Sequence, residues 1–266
     1  MVPLSKIWRL FRRYSAISLA ADSEFRTDFF SSVLLQMLNA GMMVAFWDAL
    51  IRAAGGLPGW SMGDLVLMTG LQVLSGVVGT LFFRMRQLPE RVLKGELDRY
   101  LTRPAPALLC LQWERLYVRS MITETVSGLI IIGVAVFGWG FRPVPGGVLP
   151  AVLLLVLGTL IQTCLETTVA ALSFWLGRVD SLQSIVGEAQ RFSRFPVTFF
   201  DRPVRLLLTW IWPFGLCLTY PVLFMRGELD LLWPLLGGAL GAVALWAFGL
   251  NRLLRAGVKR YESFGG

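Results

Sequence analysis

Sorting the 25 Lys and Arg residues by the loops between the apolar runs of this chain places nearly all of them on alternate loops. Five precede the first run: Lys6, Arg9, Arg12, Arg13 and Arg26. Eight lie between the second and third: Arg84, Arg86, Arg91, Lys94, Arg99, Arg103, Arg115 and Arg119. Five more lie between the fourth and fifth (Arg178, Arg191, Arg194, Arg202, Arg205), and four follow the sixth (Arg252, Arg255, Lys259, Arg260). The remaining loops carry one each, Arg52, Arg142 and Arg226. Basic residues resist translocation, so the rich loops are expected on the cytoplasmic side of a membrane. That sorting calls for a multi-pass protein with both termini in the cytoplasm, as in a bacterial cytoplasmic (inner) membrane.

Composition agrees. The chain is 55% hydrophobic and 16% charged, with mean hydropathy +0.64, too apolar for a soluble domain. The net charge of +8 sits beside apolar runs rather than in one patch. It therefore answers to topology and anionic lipid, and no nucleic-acid partner is expected. Histidine is absent, which removes Ser-His-Asp and Cys-His catalysis and every His-dependent metal site. Cys110, Cys164 and Cys217 are too scattered for a metal set or a disulfide framework and read as small buried residues.

About 20 apolar residues cross a hydrocarbon core, and the runs set the expected spans. They are Phe29–Ile51, Leu65–Phe83, Ser120–Phe141, the long Val148–Gly177, and Leu231–Asn251 as the last. The fifth crossing has two solutions. Hydropathy selects Leu206–Met225, interrupted by Pro213 and Pro221; alternatively Ser181–Phe200 crosses and Arg202–Met225 re-enters as two short helices. The second moves Arg202 and Arg205 outward, for a basic bias of 20 against 5. Before the first span, charges from Arg9 to Asp28 leave no signal-peptide h-region. Ile7, Leu10, Phe11, Tyr14, Ile17 and Ser18 share one face, as in a helix lying in the cytoplasmic interface. The expected organisation is an interfacial helix over 1–28, a six-span domain over 29–254 and a cytoplasmic tail over 255–266.

The loop after the second span carries the clearest functional signal. Within Leu88–Leu101, Leu93, Leu97, Tyr100 and Leu101 follow helical spacing, and Arg103-Pro104-Ala105-Pro106 stops the helix. A short amphipathic helix held between two spans suits docking to a soluble partner. The run Gly95-Glu96-Leu97-Asp98-Arg99-Tyr100-Leu101-Thr102-Arg103-Pro104 resembles a segment of the permease subunits of ABC-2 type transporters. It is closest to the branch linked to viologen-exporter-type systems, formerly a domain of unknown function. The C-terminal Gly257, Arg260-Tyr261 and Gly265, and the prolines Pro196, Pro213 and Pro221, fit the same resemblance.

The resemblance implies an all-α integral membrane protein of six transmembrane helices. An N-terminal interfacial helix, a coupling helix at about 88–101 and re-entrant helices before the last span complete it. It also implies a second permease subunit and separate ATP-binding subunits, with the chain an exporter component rather than an enzyme. Leu93, Glu96, Leu97, Asp98, Tyr100, Leu101 and Arg103 would then couple to the ATPase. The sequence holds no G-x-x-x-x-G-K-[ST] phosphate loop, so no cofactor is expected on this chain and ATP belongs to the partner. A cationic or amphipathic small molecule or drug is the substrate class the resemblance suggests.

Polar residues within spans are the other candidates, because hydrocarbon penalises them unless they face a cavity or a partner. They are Gln36 and Asn39, Gln72, Glu124, and Gln162 with Glu166 one turn later. If Ser181–Phe200 crosses, Glu188, Arg191 and Arg194 join them and could neutralise Glu166 or Glu124. The competing roles are polar glue between helices and snorkelling. An ion-coupled transporter using Glu166 and Glu124 is the alternative function, although the internal inverted repeat it needs is not visible. An intramembrane enzyme has neither histidine nor a carboxylate cluster to work with.

Overall fold

The computed structural model describes residues 26–81, 85, 87–102 and 118–261, together with the single residue 12. The expected interfacial helix over 1–28, Arg103 and the closing residues from Glu262 lie outside the described residues, apart from Arg12 and the start of the first long helix. The described part is all-α, its one β feature being an isolated Leu57–Trp60 bridge.

Five helices are long and apolar enough to cross a membrane. They are α1 (Arg26–Ala54), α2 (Met62–Leu81), α5 (Val118–Gly133, extended by a π turn Val134–Gly138), α6 (Pro145–Ala171) and α11 (Leu232–Arg260). Between α2 and α5 lie two short helices, α3 (Leu88–Leu93) and α4 (Asp98–Leu101). After α6 come α7 (Ser173–Leu176), α8 (Asp180–Ala189), α9 (Arg202–Trp210) and α10 (Tyr220–Arg226). Helices are what these apolar runs must form, since only intrahelical bonds satisfy the backbone without water. The expected spans one to four and six all coincide with long helices. The last helix runs two turns past the expected end at Asn251, to Arg260.

Two apolar clusters mark the two ends. One gathers Trp47, Leu65, Ile131, Leu154, Phe214 and Phe224 with many others. The second joins Leu88, Val92, Leu97 and Tyr100 to Ala170, Phe174, Leu250 and Leu254. That second cluster lies among the arginine-rich loops and defines the basic end. The far end is tied together by polar contacts. Ser61 caps α2 reciprocally with Asp64: the Ser61 amide donates to Asp64 Oδ2 at 2.7 Å and the Asp64 amide to Ser61 Oγ at 3.3 Å. Arg226 pairs with the buried Asp64 at 3.3 Å and donates to the Gly59 carbonyl at 2.5 Å. The Val144 amide donates to the Met225 carbonyl at 2.7 Å.

These contacts bear on the two solutions for the fifth crossing. Trp60 Nε1 donates to Thr198 Oγ1 at 2.8 Å, and its ring meets Phe199 edge-on. Both ends of the segment 200–226 therefore sit at the far end, beside the α1–α2 loop. Between them α9 and the helix Gly215–Arg226 meet at a bend of 80°, an open hairpin rather than one straight helix. Its tip reaches Gly158 of α6, where an added Cβ would lie 2.8 Å from the Cys217 amide nitrogen. At a rise of ~1.5 Å per residue, that is about 20 Å from the Val144–Met225 contact. A second close approach, at Gly147, leaves a Cβ only 1.7 Å from the Phe224 carbonyl oxygen. Glycine on α6 is what lets the returning arm lie flush.

The basic and far ends are then joined by residues 180–199. The α8 helix gives way to a tighter 3-10 turn, Gln190–Arg194, because Pro196 forces Phe195 into an extended conformation (φ −101°, ψ 137°). Helical and 3-10 rises together give up to ~35 Å if collinear, enough for a crossing. Arg191 and Arg194 thus fall inside the connecting segment instead of on a basic-end loop. An impermeant thiol reagent is expected to label Asp201→Cys, in a background without the native cysteines, from the same face as Gly59→Cys. Thr102→Cys should label only from the opposite face. Co-labelling of Asp201→Cys with Thr102→Cys would return the fifth crossing to 206–225.

Candidate functional site

The predicted helix over Leu88–Leu101 is broken. Gly95 takes φ 69°, a left-handed value that ends α3 and starts a turn into α4. The break rotates the second half, and Leu97 and Tyr100 point into the chain's own cluster, 3% and 0% exposed. This corrects their expected place on an outward docking face: two separate turns have replaced one continuous amphipathic helix. Leu93 is 46% exposed, and Glu90, Lys94 and Arg99 are exposed beside it. Arg91 pairs with Glu96 across the break, and Lys94 pairs with Glu90 at 2.6 Å. The side-chain hydrogen bond and charge of Glu90 raise the Lys94 pKa above its ordinary value. Arg99 donates to Tyr100 Oη at 2.6 Å. Asp98 starts α4, where its charge suits the helix N-terminus. Leu101 closes α4, and Arg103 lies outside the described residues.

Below this knob, Tyr261 follows α11 with its hydroxyl buried. Burial pushes the phenol's pKa up, and the charge of Asp98 adds to the effect. The last helix, the base of α6 and the α3–α4 knob are therefore one packed unit. Gly257 of α11 lies directly on the Phe174 ring.

The intramembrane candidates separate into three places. Glu166 is buried, and it accepts hydrogen bonds from Gln162 at 3.3 Å and from Gln190 of the crossing segment at 2.5 Å. It lines a pocket of about 430 Å³ with Asp180, Gln183, Ser184 and Gln190, between α6 and α8 near the basic end. Gln162 in turn accepts from Cys217 at the hairpin tip, at 3.8 Å. Gln36, Asn39 and Gln72 line a different cleft of about 640 Å³ with Met42, Phe46, Arg191 and Arg194. Glu124 is in neither. It accepts from Ser120 at 3.2 Å and lies between α5 and α2, where a Cβ on Gly76 would be 2.8 Å from its Oε2.

Arg191 pairs with Glu188, three residues earlier, at 2.9 Å, so it does not serve as the partner suggested for Glu166 or Glu124. Gln190 and Asp180 were not legible as pocket residues, being 24 and 14 positions from Glu166 and joined to it only by tertiary packing. The Asp64–Arg226 tie had half a signal, the Ser61-x-x-Asp64 capping pattern. Among the described residues no group of His, Cys, Asp and Glu could hold a metal ion.

A family model described as an ABC-2 family transporter protein matches residues 37–265. None of the curated proteins compared with the chain matches it.

The burial pattern separates structural from presentational residues in the knob. Leu97→Asp places a charge in a closed apolar cluster and is expected to cost roughly 3 kcal/mol or more. Leu93→Asp, on the exposed side, should stay within about 0.5 kcal/mol of the parent. Thermal unfolding of the purified variants in detergent checks both. Equal melting of the two would remove the distinction.

Proposed function

The chain belongs to the ABC-2 transporter family, a family of membrane-spanning transport proteins, and from that premise we propose that it is the permease subunit of an ATP-driven exporter. The membrane is the bacterial cytoplasmic membrane, with the basic end and both termini in the cytoplasm. ATP is hydrolysed on separate ATP-binding subunits, and a second permease subunit, identical or homologous, completes the path. The described surface of α1 supports that pairing: only 6% of its span is buried within the chain, leaving it for lipid and a partner.

The observation that carries the reading is the α3–α4 knob. It presents Leu93 with Glu90, Lys94 and Arg99 outward and buries Leu97 and Tyr100 against the bases of α6 and α11. A partner pressing on the outer face moves Leu97 and Tyr100, and through Phe174, Leu250 and Leu254 moves two crossing helices as a unit. Glu96 and Asp98 brace the knob from within the turn. Packed apolar contacts transmit such a push because the cluster leaves no slack.

The pocket around Glu166 opens at that same end, beside the base of α6. Its carboxylates, Glu166 and Asp180, suit an amphipathic small cation loaded from the cytoplasm. Gln162 and Cys217 continue the polar line from Glu166 to the tip of the hairpin. Glu166 and Glu124 sit on different helix interfaces, which gives an ion-coupled relay between them no support.

Two variants test the proposal. Leu93→Asp is expected to lose co-purification of the ATP-binding subunit by at least about tenfold while inserting and melting like the parent. Undiminished co-purification and ATPase activity would remove the knob from coupling. Glu166→Gln keeps shape and hydrogen bonding, so it should assemble with both partners yet fail to export an organic dication such as methyl viologen. Full export by Glu166→Gln would sink the role given to that carboxylate.

A further inference from the structure

The second cleft has the opposite sign. It is formed by α1, α2 and the 3-10 segment of the crossing, and it is lined by Gln36, Asn39, Gln72, Arg191, Arg194 and apolar side chains including Met42 and Phe46. No carboxylate lines it. Glu188 is taken up by Arg191, whereas Arg194 is exposed into the cleft and makes no ion pair among the described residues. Arg194 stands four residues before Thr198, so at most about 14 Å of chain separates it from the far end. An arginine at such a depth is tolerated when it meets an anion or water.

The amides extend the polar lining. Gln72 Nε2 donates to Ser193 Oγ at 3.0 Å, which holds the 3-10 turn against α2 and fixes where Arg191 and Arg194 emerge. The Asn39 amide donates to the Leu35 carbonyl at 2.9 Å. Gln36 Oε1 is buried with no hydrogen-bond donor, so the cleft is not satisfied by its own groups. Beyond the polar groups, Met42, Met43, Phe46 and Phe195 give a wall for an alkyl chain. Phe195 is held edge-on by Phe46 and Trp47, so that wall is rigid.

We infer that this cleft binds an anionic amphipath, its phosphate or carboxylate head on Arg194 and its chain along Met42, Met43 and Phe46. An acidic head is matched by the unpaired guanidinium through charge-assisted bonds, and a cationic one is repelled. The head-group chemistry is shared by a bilayer phospholipid and by a water-borne amphipathic acid. The site needs no ATP-binding partner, so its failure leaves the transport reading untouched and the reverse is also true.

The test uses the purified full chain in phosphatidylcholine nanodiscs, titrated with dodecyl phosphate and followed by intrinsic tryptophan fluorescence. Saturable binding is expected, weakened at least about tenfold in Arg194→Gln and less than about threefold in Arg194→Lys. Met42→Trp, which fills the cleft without changing charge, should weaken it as well and covers the case in which Arg194→Gln folds poorly. Dodecyltrimethylammonium should not compete, and inorganic phosphate alone should bind far more weakly. Native mass spectrometry of the detergent-extracted chain separates the two sources. Phosphatidylglycerol retained by the parent and lost in Arg194→Gln assigns the site to the bilayer. Dodecyl phosphate binding without retained phospholipid assigns it to a water-borne acid. Equal binding by parent and both cleft variants, or equal binding of the cationic probe, overturns the inference.

Discussion

Backbone N–H and C=O groups in hydrocarbon cannot borrow water, so each part of this chain that leaves a regular helix at membrane depth has to be covered by another part. The hairpin over 202–226 is the severest case. It contains the break at Ile211–Phe214 and a π turn, Gly215–Thr219, and would be untenable against lipid. Hairpin side chains also satisfy the segment before it: the Val197 amide donates to Thr219 Oγ1 at 3.0 Å and Arg205 donates to the Thr198 and Phe200 carbonyls at 3.2 Å each, while within the hairpin the Cys217 amide donates to the Pro213 carbonyl at 2.9 Å. Gly158 and Gly147 remove the side chains that would hold α6 away from it. Much of the larger apolar cluster exists to wrap this element: Phe214, Leu216, Leu218, Val222 and Phe224 are all buried in it.

That requirement also explains the far-end latch. A hairpin that turns back inside the bundle needs its mouth fixed, or the two arms would slide along α6. Arg226 does this by joining the last turn of the returning arm to Gly59 and Asp64 on the α1–α2 corner. Asp64 is already committed to Ser61 in the capping box. Its carboxylate therefore has donors on two sides, the condition under which a buried ion pair is tolerated.

What could be read from the sequence was whatever hydrocarbon or translocation dictates locally. Span length and the alternation of Lys and Arg located five long helices and placed the α3–α4 segment at the basic end. The inward side of that segment was misread, because periodicity assumes one unbroken helix and Gly95 breaks it at φ 69°. Hydropathy alone selects 206–225 as the fifth crossing, whereas the contacts put 180–199 between the two ends. Residues 213–225 are almost all buried within the chain, whereas 180–199 lines pockets on two sides. Burial and hydropathy rise together in soluble cores, but in a membrane a polar segment is the one with something other than lipid beside it.

The crossing segment thus separates two recesses of opposite charge. On one side Gln190 points to Glu166 in a pocket that also holds Asp180. On the other, its neighbour Arg191 and the next turn's Arg194 line the cleft against α1 and α2. Side chains that follow one another around a tight 3-10 turn project about 120° apart, so a single short turn can feed both recesses. Inserting an arginine at the centre of a helix costs about 2.5–3.5 kcal/mol, and a direct Arg191–Glu166 pair would have offset part of that. Instead Arg191 takes Glu188 and Glu166 takes two carboxamides. A rotation of the 190–194 turn would move the lining of both recesses at once. The charge seen by one side is mechanically tied to the charge seen by the other.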